Sequence, residues 1–338
     1  MITAQLGRIA AGQDLSLEEM TLVIDQVMQG SVPEGEIAVL LTALAAKGET
    51  VDEIAGAAIA MRKHMTPIRT SRTGLVDTCG TGGAGSCTFN ISTTAAIVTA
   101  AAGVPVAKHG NRSITSRSGS ADVLAELGIN IQAPVPVVER CLDELGICFC
   151  FAPHLHPAMK HVAPVRKKLG IQTIFNLLGP LCNPAGAPYQ VLGVGKRELH
   201  RTLANVLTRL GTDHAVVVHG QDGMGEISLG ATTDVIELDG STQRVFPWGA
   251  EDFGLKPANN DAMTIDGPNA SAKIVREILD NQPGPPRDIV ILNAAAALWT
   301  ARADPDPLAC AARAAEALEN GAAKRLVEQW ARLSHSTS

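Results

Sequence analysis

The chain has 338 residues, with 28 Lys and Arg against 34 Asp and Glu, a formal charge of −6. That length suits two domains, or one large α/β domain with an appendage. An acidic chain with only 3% aromatics lacks the positive field and the stacking surfaces of a nucleic-acid binder, and an apolar fraction of 46% excludes extensive disorder. The most apolar stretch, residues 95–107, is too short to cross a bilayer and contains Gly103 and Pro105. No basic segment followed by a long apolar core opens the chain, so no secretory signal is expected. The seven cysteines include no CxxC pair. They read as buried reduced thiols in a cytoplasmic protein.

The first sixty-odd residues read as helices. Ser16-Leu17-Glu18-Glu19, Ser31-Val32-Pro33-Glu34 and Thr50-Val51-Asp52-Glu53 each have the form of a capping box ahead of an amphipathic run. Gly30 and Gly48 supply stops. From about residue 70 strands alternate with helices, which indicates a mostly parallel sheet. Residues 74–77, 104–107 and 147–151 read as short strands, and residues 214–219 as a strand covered on both faces. Residues 235–238 followed by Asp239-Gly240 look like a hairpin. Residues 288–292 form a short apolar segment leading into an Ala-rich helix, and residues 308–333 read as one C-terminal helix.

Four segments carry chemistry. After the strand at residue 77, four glycines crowd into residues 80–85, and Asn90, Ser92 and Thr93 precede a helix that starts near Ser92. Backbone N–H groups of such a loop and helix end converge on one spot, an anion site. This is not a P-loop, since no Gly-Lys-Ser/Thr follows. The second segment, residues 108–120, gathers Lys108, Arg112, Arg117, Asn111 and five hydroxyls behind another strand. Cations and hydroxyls of this kind coordinate phosphate. Two such loops suit a ligand with phosphate at both ends, or a pyrophosphate plus a sugar phosphate. In the third, His154, His156 and His161 fit no standard zinc spacing. A helix from Pro157 carrying Arg166 toward a ligand carboxylate is the expectation there. The fourth, residues 219–228, sets Asp222 and Glu226 in a glycine-rich loop, where a carboxylate suits the Mg²⁺ of a diphosphate. A plain Asp-Gly turn is the alternative.

Together these segments resemble anthranilate phosphoribosyltransferases, a family with the class II nucleoside-phosphorylase-like fold. The GTGGDG…TFNxST loop matches Gly80 to Thr93. KHGNR…SGSAD, the most specific sign, matches Lys108 to Asp122. HPAMKHVxPVR matches His156 to Arg166, and GxxTxFNxLGPLxNP matches Gly170 to Pro184. The resemblance implies an α/β fold with a small N-terminal helical domain and a larger domain with a mostly parallel sheet. Residues 1–68, with about 157–182 returning, would form the helical domain, and 69–156 with 183–338 the α/β domain. It implies transfer of phosphoribose from 5-phosphoribosyl 1-pyrophosphate to the amine of anthranilate.

By position, the resemblance assigns the phosphoribosyl pyrophosphate to Gly80, Gly83, Ala84, Thr88, Asn90, Ile91, Ser92 and Thr93 in the first loop. In the second it assigns Lys108, His109, Gly110, Asn111, Arg112, Ser113, Ile114, Thr115, Ser116 and Ser120. Gly80, Asn111 and Arg166 would face anthranilate, and Ser92 and Glu226 would touch Mg²⁺. A homodimer through the helical domain, with neither nucleic acid nor membrane as partner, completes the expectation. No nucleophile–base pair is found, and an arylamine needs no dedicated base. Two departures stand out: Ala84 and Gly225 occupy positions where the family carries aspartate. Both remove carboxylates from the metal and diphosphate side. A phosphoribosyltransferase or phosphorylase using another aromatic acceptor, and a weakly active binding homologue, are the alternatives.

Overall fold

The computed structural model describes residues 2–82, 88–113 and 117–337. Four helices open the chain: α1 (Thr3–Ala10), α2 (Leu17–Met28), α3 (Glu34–Lys47) and α4 (Val51–Lys63). Two capping boxes form as expected. The Ser16 hydroxyl accepts from the N–H of Glu19 at 3.2 Å while the Glu19 carboxylate accepts from the N–H of Ser16 at 2.9 Å. Thr50 and Glu53 repeat the pattern at 3.2 and 2.9 Å. The third box does not form. Pro33 is the residue before α3, with no side-chain cap, and the Ser31 hydroxyl instead donates to the carbonyl of Gln26. Proline already sets the extended backbone there, and the preceding helix has unpaired carbonyls to offer.

The rest of the chain builds one seven-stranded sheet. Its elements run β1 (Val76–Gly80), α5 (Ile91–Ala101), β2 (Val106–Gly110), α6 (Ser120–Glu126), α7 (Val135–Leu145) and β3 (Ile147–Phe151). Then come α8 (Ala152–Leu155), a 3₁₀ turn (Pro157–His161), α9 (Ala163–Leu169), α10 (Phe175–Leu178) and a second 3₁₀ turn (Gly179–Leu181). Next are β4 (Tyr189–Gly193), α11 (Arg197–Arg209), β5 (His214–Gly220), β6 (Thr233–Asp239) and β7 (Thr242–Trp248). Past two further 3₁₀ turns, the chain closes with α12 (Pro268–Leu279), α13 (Pro285–Thr300), α14 (Pro307–Glu319) and α15 (Ala322–Ser334). The sheet order is β3-β2-β1-β4-β5-β6-β7. The first five strands are parallel, and the β6–β7 hairpin adds two antiparallel ones.

Three sequence expectations need correction. Residues 288–292 lie inside α13, which starts at Pro285. Packed between the sheet and the helices α5 and α14, residues 289–292 are buried and carry the same apolar run as a central strand. The C-terminal helix is two helices, broken where Gly321 takes a φ of +72°. The helix expected from Pro157 is a 3₁₀ turn, and the α-helix carrying Arg166 begins at Ala163.

Strand periodicity divides the core in two. On β5, Ala215 and Val217 join a cluster with α2, α3, α4 and α11, while Val216 and Val218 join one with α5 and α13. Val162, Val165, Ile174 and Phe175, from the insertion between β3 and β4, pack in the first cluster. The six described cysteines are buried and unpaired.

Candidate active site

Four parallel strands, β1, β2, β4 and β5, end in glycine: Gly80, Gly110, Gly193 and Gly220. From β1 the chain winds outward to β2 and β3, then returns to place β4 on the other side. The crevice beyond the carboxyl ends of β1 and β4 is therefore the switch point where open α/β sheets bind ligands. The loops approach closely here. A Cβ on Gly193 would lie 1.7 Å from the carbonyl oxygen of Gly225, so only glycine lets the β5–β6 loop rest on the end of β4. The N–H of Thr81 donates to the carbonyl of Gly193 at 2.9 Å, and that of Gly195 to the Thr81 hydroxyl at 3.3 Å. Glycine loop and acidic loop meet at one point.

Of the first loop, Gly80, Thr88, Asn90, Ile91, Ser92 and Thr93 are described; Gly83 and Ala84 lie outside the described residues. Asn90 acts as a brace. Its Oδ1 accepts from the hydroxyls of Ser118 (2.6 Å) and Ser271 (2.8 Å), and its Nδ2 donates to the carbonyl of Ser118 (3.1 Å). One amide thus ties the first loop to the second and to α12. Thr88 bridges Thr264, and the N–H of Phe89 donates to Met263. In the first turn of α5, the Thr93 hydroxyl is buried without a hydrogen-bond partner among the described residues. Ser92 faces Gly225 and Glu226 across a cavity of about 20 Å³.

In the second loop, Lys108, His109, Gly110, Asn111, Arg112, Ser113 and Ser120 are described; Ile114, Thr115 and Ser116 lie outside. Lys108 is turned into the sheet, its Nζ donating to the carbonyl of Thr78. Burial lowers its pKa, opposed by the charges of Asp77 and Glu226. Asp77 is buried too. Its carboxylate accepts from the N–H of His109 (3.2 Å) and from Asn183 Nδ2 (2.8 Å), and burial raises its pKa. Asp122 fixes the loop's shape: Oδ2 accepts from the N–H groups of Ser113 (2.9 Å) and Gly119 (3.0 Å), and Oδ1 from Arg112 Nη1 (2.9 Å). Asn111 and Arg112 are exposed.

The histidines pair with each other. His109 Nδ1 lies 2.8 Å from the carbonyl of Gly179, and His109 Nε2 lies 3.1 Å from His156 Nε2. A carbonyl only accepts, so His109 carries its proton on Nδ1 and His156 donates from Nε2. Burial lowers the pKa values to about 3 for His109 and about 4 for His156, so both rings are neutral at physiological pH. Arg166 donates from Nη2 to Asn176 Oδ1 at 3.2 Å and sits over the Phe175 ring, 5.9 Å from its centre. Burial lowers its pKa. No group of three or more His, Cys, Asp or Glu able to cage a metal occurs among the described residues.

The acidic loop separates its two carboxylates. Asp222 is committed to holding the loop in place: Ser228 Oγ (2.6 Å) and the N–H of Met224 (3.2 Å) from the loop, and Asn260 Nδ2 (2.7 Å) from beyond β7, all donate to it. Glu226 lines the small cavity beside Ser92 and Gly225. Burial raises its pKa to about 7, with Lys108 pulling it down and Asp222 pushing it up. Sequence reasoning missed the braces: Asp77, Asp122, Asn183 and Ser271. Asp122 was findable, because an Asp three residues after a helix-opening Gly caps it in this way. The others are long-range pairs with no local signal.

Two models of one glycosyl transferase family match the chain: the helical bundle domain over residues 5–65 and the a/b domain over residues 72–324. The anthranilate phosphoribosyltransferase of Anaeromyxobacter dehalogenans (strain 2CP-1) is 50% identical, over 97% of each chain. That of Rhodopirellula baltica is 48% identical over 95% of this chain and 94% of its own. This chain belongs to the anthranilate phosphoribosyltransferase family. Solved structures agree with that membership. The family's enzyme from Thermus thermophilus superposes with a TM-score of 0.92 at 42% identity, covering 98% of this chain and 99% of its own. The Saccharomyces cerevisiae enzyme, solved in complex with PRPP and Mg, gives 0.89 at 27%, covering 99% and 98%. The family fold expected from sequence, a small helical domain and a larger α/β domain around a mostly parallel sheet, is the fold found.

Proposed function

We propose that this chain transfers phosphoribose from 5-phosphoribosyl 1-pyrophosphate to the amine of anthranilate, with both substrates held at the β1–β4 switch point. The observation that carries the site assignment is the convergence of two phosphate-type loops and one acidic loop on the glycine-ended strands. The loop N–H groups, the first turn of α5 with Ser92 and Thr93, and the exposed Asn111 and Arg112 hold the phosphates. Lys108 supplies buried positive charge beneath them. Asn90 and Asp122 keep the loops in shape. Asn111, the backbone of Gly80 and Arg166 face anthranilate, and the Arg166 guanidinium pairs with its carboxylate.

The amine nitrogen forms a bond to C1 of the ribose as the C1–O bond to the diphosphate breaks. Pyrophosphate leaves, and the nitrogen releases its extra proton. The sugar gains positive character in that step, so charge on the leaving group must be stabilised and the amine positioned. Neutral His109 and His156 add no positive charge beside the electron-poor sugar.

Ser92 and Glu226 fit Mg²⁺ on one side only: one hydroxyl and one carboxylate share a small cavity, Gly225 offers no side chain, and Asp222 is occupied by its own loop. The fit suits an ion whose remaining ligands are diphosphate oxygens and waters. When bound, the metal neutralises charge on the departing diphosphate. We further propose that residues 1–68 and 157–182 act as one helical unit through which two copies pair. A groove of about 600 Å³ between α1 and α3, lined by Ile9, Ala38, half-exposed Val39 and Ala43, supports this reading. A cytoplasmic location accords with the reduced thiols. The test is loss of anthranilate fluorescence with equimolar pyrophosphate release. Turnover of another arylamine in preference to anthranilate would overturn the acceptor assignment.

A further inference from the structure

A second cavity, of about 420 Å³, lies at the other end of the strands, under the turns that lead into β4 and β5. Its size suits a small organic ligand. Arg62, at the end of α4, is half-buried in its wall. Arg62 Nε donates to the carbonyl of Leu181 at 2.7 Å, and the guanidinium forms no ion pair among the described residues. Asp213 stands exposed at the rim, and Met65, Leu181, Pro188 and Leu210 supply apolar wall. Beyond its bond to Leu181 and its hydrogen bond with the Cys182 thiol, the guanidinium has N–H groups left to recognise a carboxylate, and an aspartate at the rim of the same cavity recognises an ammonium. We propose that this cavity binds a zwitterionic α-amino acid with an apolar side chain, and that its occupancy tunes the transferase site.

The coupling route is made of the cavity's own wall. Asp77, Asn183 and Gln190 line it. Asp77 accepts from the N–H of His109, and Asn183 donates to both Asp77 and the carbonyl of Ala107. Gln190 Nε2 holds the carbonyl of Pro180, next to Gly179, whose carbonyl holds the His109 ring. Asp77, Asn183 and Gln190 therefore also set the position of β2 where it delivers Lys108 and His109, while Arg62 and Asp213 form no hydrogen bond with that strand among the described residues. A ligand that moves this wall changes substrate affinity, and by linkage substrate changes the ligand's affinity by the same factor.

Isothermal titration with L-leucine and L-phenylalanine tests the site, with isoamylamine and 4-methylpentanoate as controls lacking one charge. At least one amino acid should bind saturably, and each control at least about tenfold more weakly than leucine or not at all. Arg62→Gln should lose the binding, and Asp213→Asn, at an exposed rim position where folding is not at risk, should weaken it about tenfold. Both variants should keep the ligand-free transferase rate. The bound amino acid should change the KM for phosphoribosyl pyrophosphate by about twofold or more in the parent and not in Arg62→Gln. No saturable binding of either amino acid at ~10 mM overturns the proposal. So does equal affinity for a singly charged control, unchanged affinity in Asp213→Asn, or binding without a change in KM.

Discussion

The loop after β2 and the loop after β5 each contain an aspartate bonded to its own loop, yet they differ in what is left over. Asp122 takes two loop N–H groups and one Arg112 nitrogen, and beside it Asn111 and Arg112 stand exposed. Asp222 takes Ser228 and Met224 of its own loop and Asn260 from beyond β7, and the only other carboxylate of its loop is Glu226. A carboxylate already accepting three hydrogen bonds from the protein acts as a structural element. Counting acidic residues in a loop therefore overstates its capacity for metal. The phosphate side of the site is well supplied, and the metal side rests on a single carboxylate.

Breaking the brace on the richer side should have the largest effect. Asp122→Ala leaves two loop N–H groups and a guanidinium without their acceptor, and hydrogen bonds to charged groups contribute about 1.5–3 kcal/mol each. The KM for phosphoribosyl pyrophosphate should rise about 100-fold with the fold intact by circular dichroism; an unchanged KM would show that the loop holds its shape without the brace. Arg166→Ala should raise the anthranilate KM about 30-fold, the equivalent of one charge-assisted pair, and leave that for phosphoribosyl pyrophosphate nearly unchanged. Equal losses for both substrates would refute the assignment. A smaller effect is expected from pH. The folded chain holds His109 and His156 neutral well below the ordinary 6.5, so the unfolded chain binds more protons as pH falls through 6.5 toward 4. The stability held by the neutral histidines is fully present above 6.5 and declines below it, while Glu226, raised by burial to about 7, acts in the opposite direction. The comparison that isolates the histidines is between variants: acidification from about pH 7.5 to about pH 5 should cost the parent more of its urea midpoint than it costs His156→Asn. Smallest of all, Asp222→Asn should lower the melting temperature by a few degrees while the half-saturating Mg²⁺ stays put. A large rise in that Mg²⁺ concentration would mean Asp222 is a ligand after all.

Sequence alone located the loops because each follows a strand and concentrates residue types that bind phosphate. It also found two helix starts, since a capping box is written within four residues. It failed where the deciding contact is distant. Residues 288–292 look like a strand until α13 is seen packed among helices. The bracing role of Asn90 is invisible in sequence, because Ser271 on its amide lies far along the chain. Asp222 looked available as a carboxylate, and only the fold brings Asn260 to it.

The central claim is that this chain holds Mg²⁺ through Glu226 and the substrate's own diphosphate, with no second carboxylate from the loop. The most direct test is initial rate against free Mg²⁺ for the parent and for Gly225→Asp. A Cβ at position 225 would come no nearer than 3.4 Å to its neighbours, so the backbone there accepts a side chain, and Gly225 lines the same small cavity as Ser92 and Glu226. The account predicts that Gly225→Asp reaches half-maximal rate at a Mg²⁺ concentration several-fold lower than the parent. Superimposable Mg²⁺ curves would contradict it.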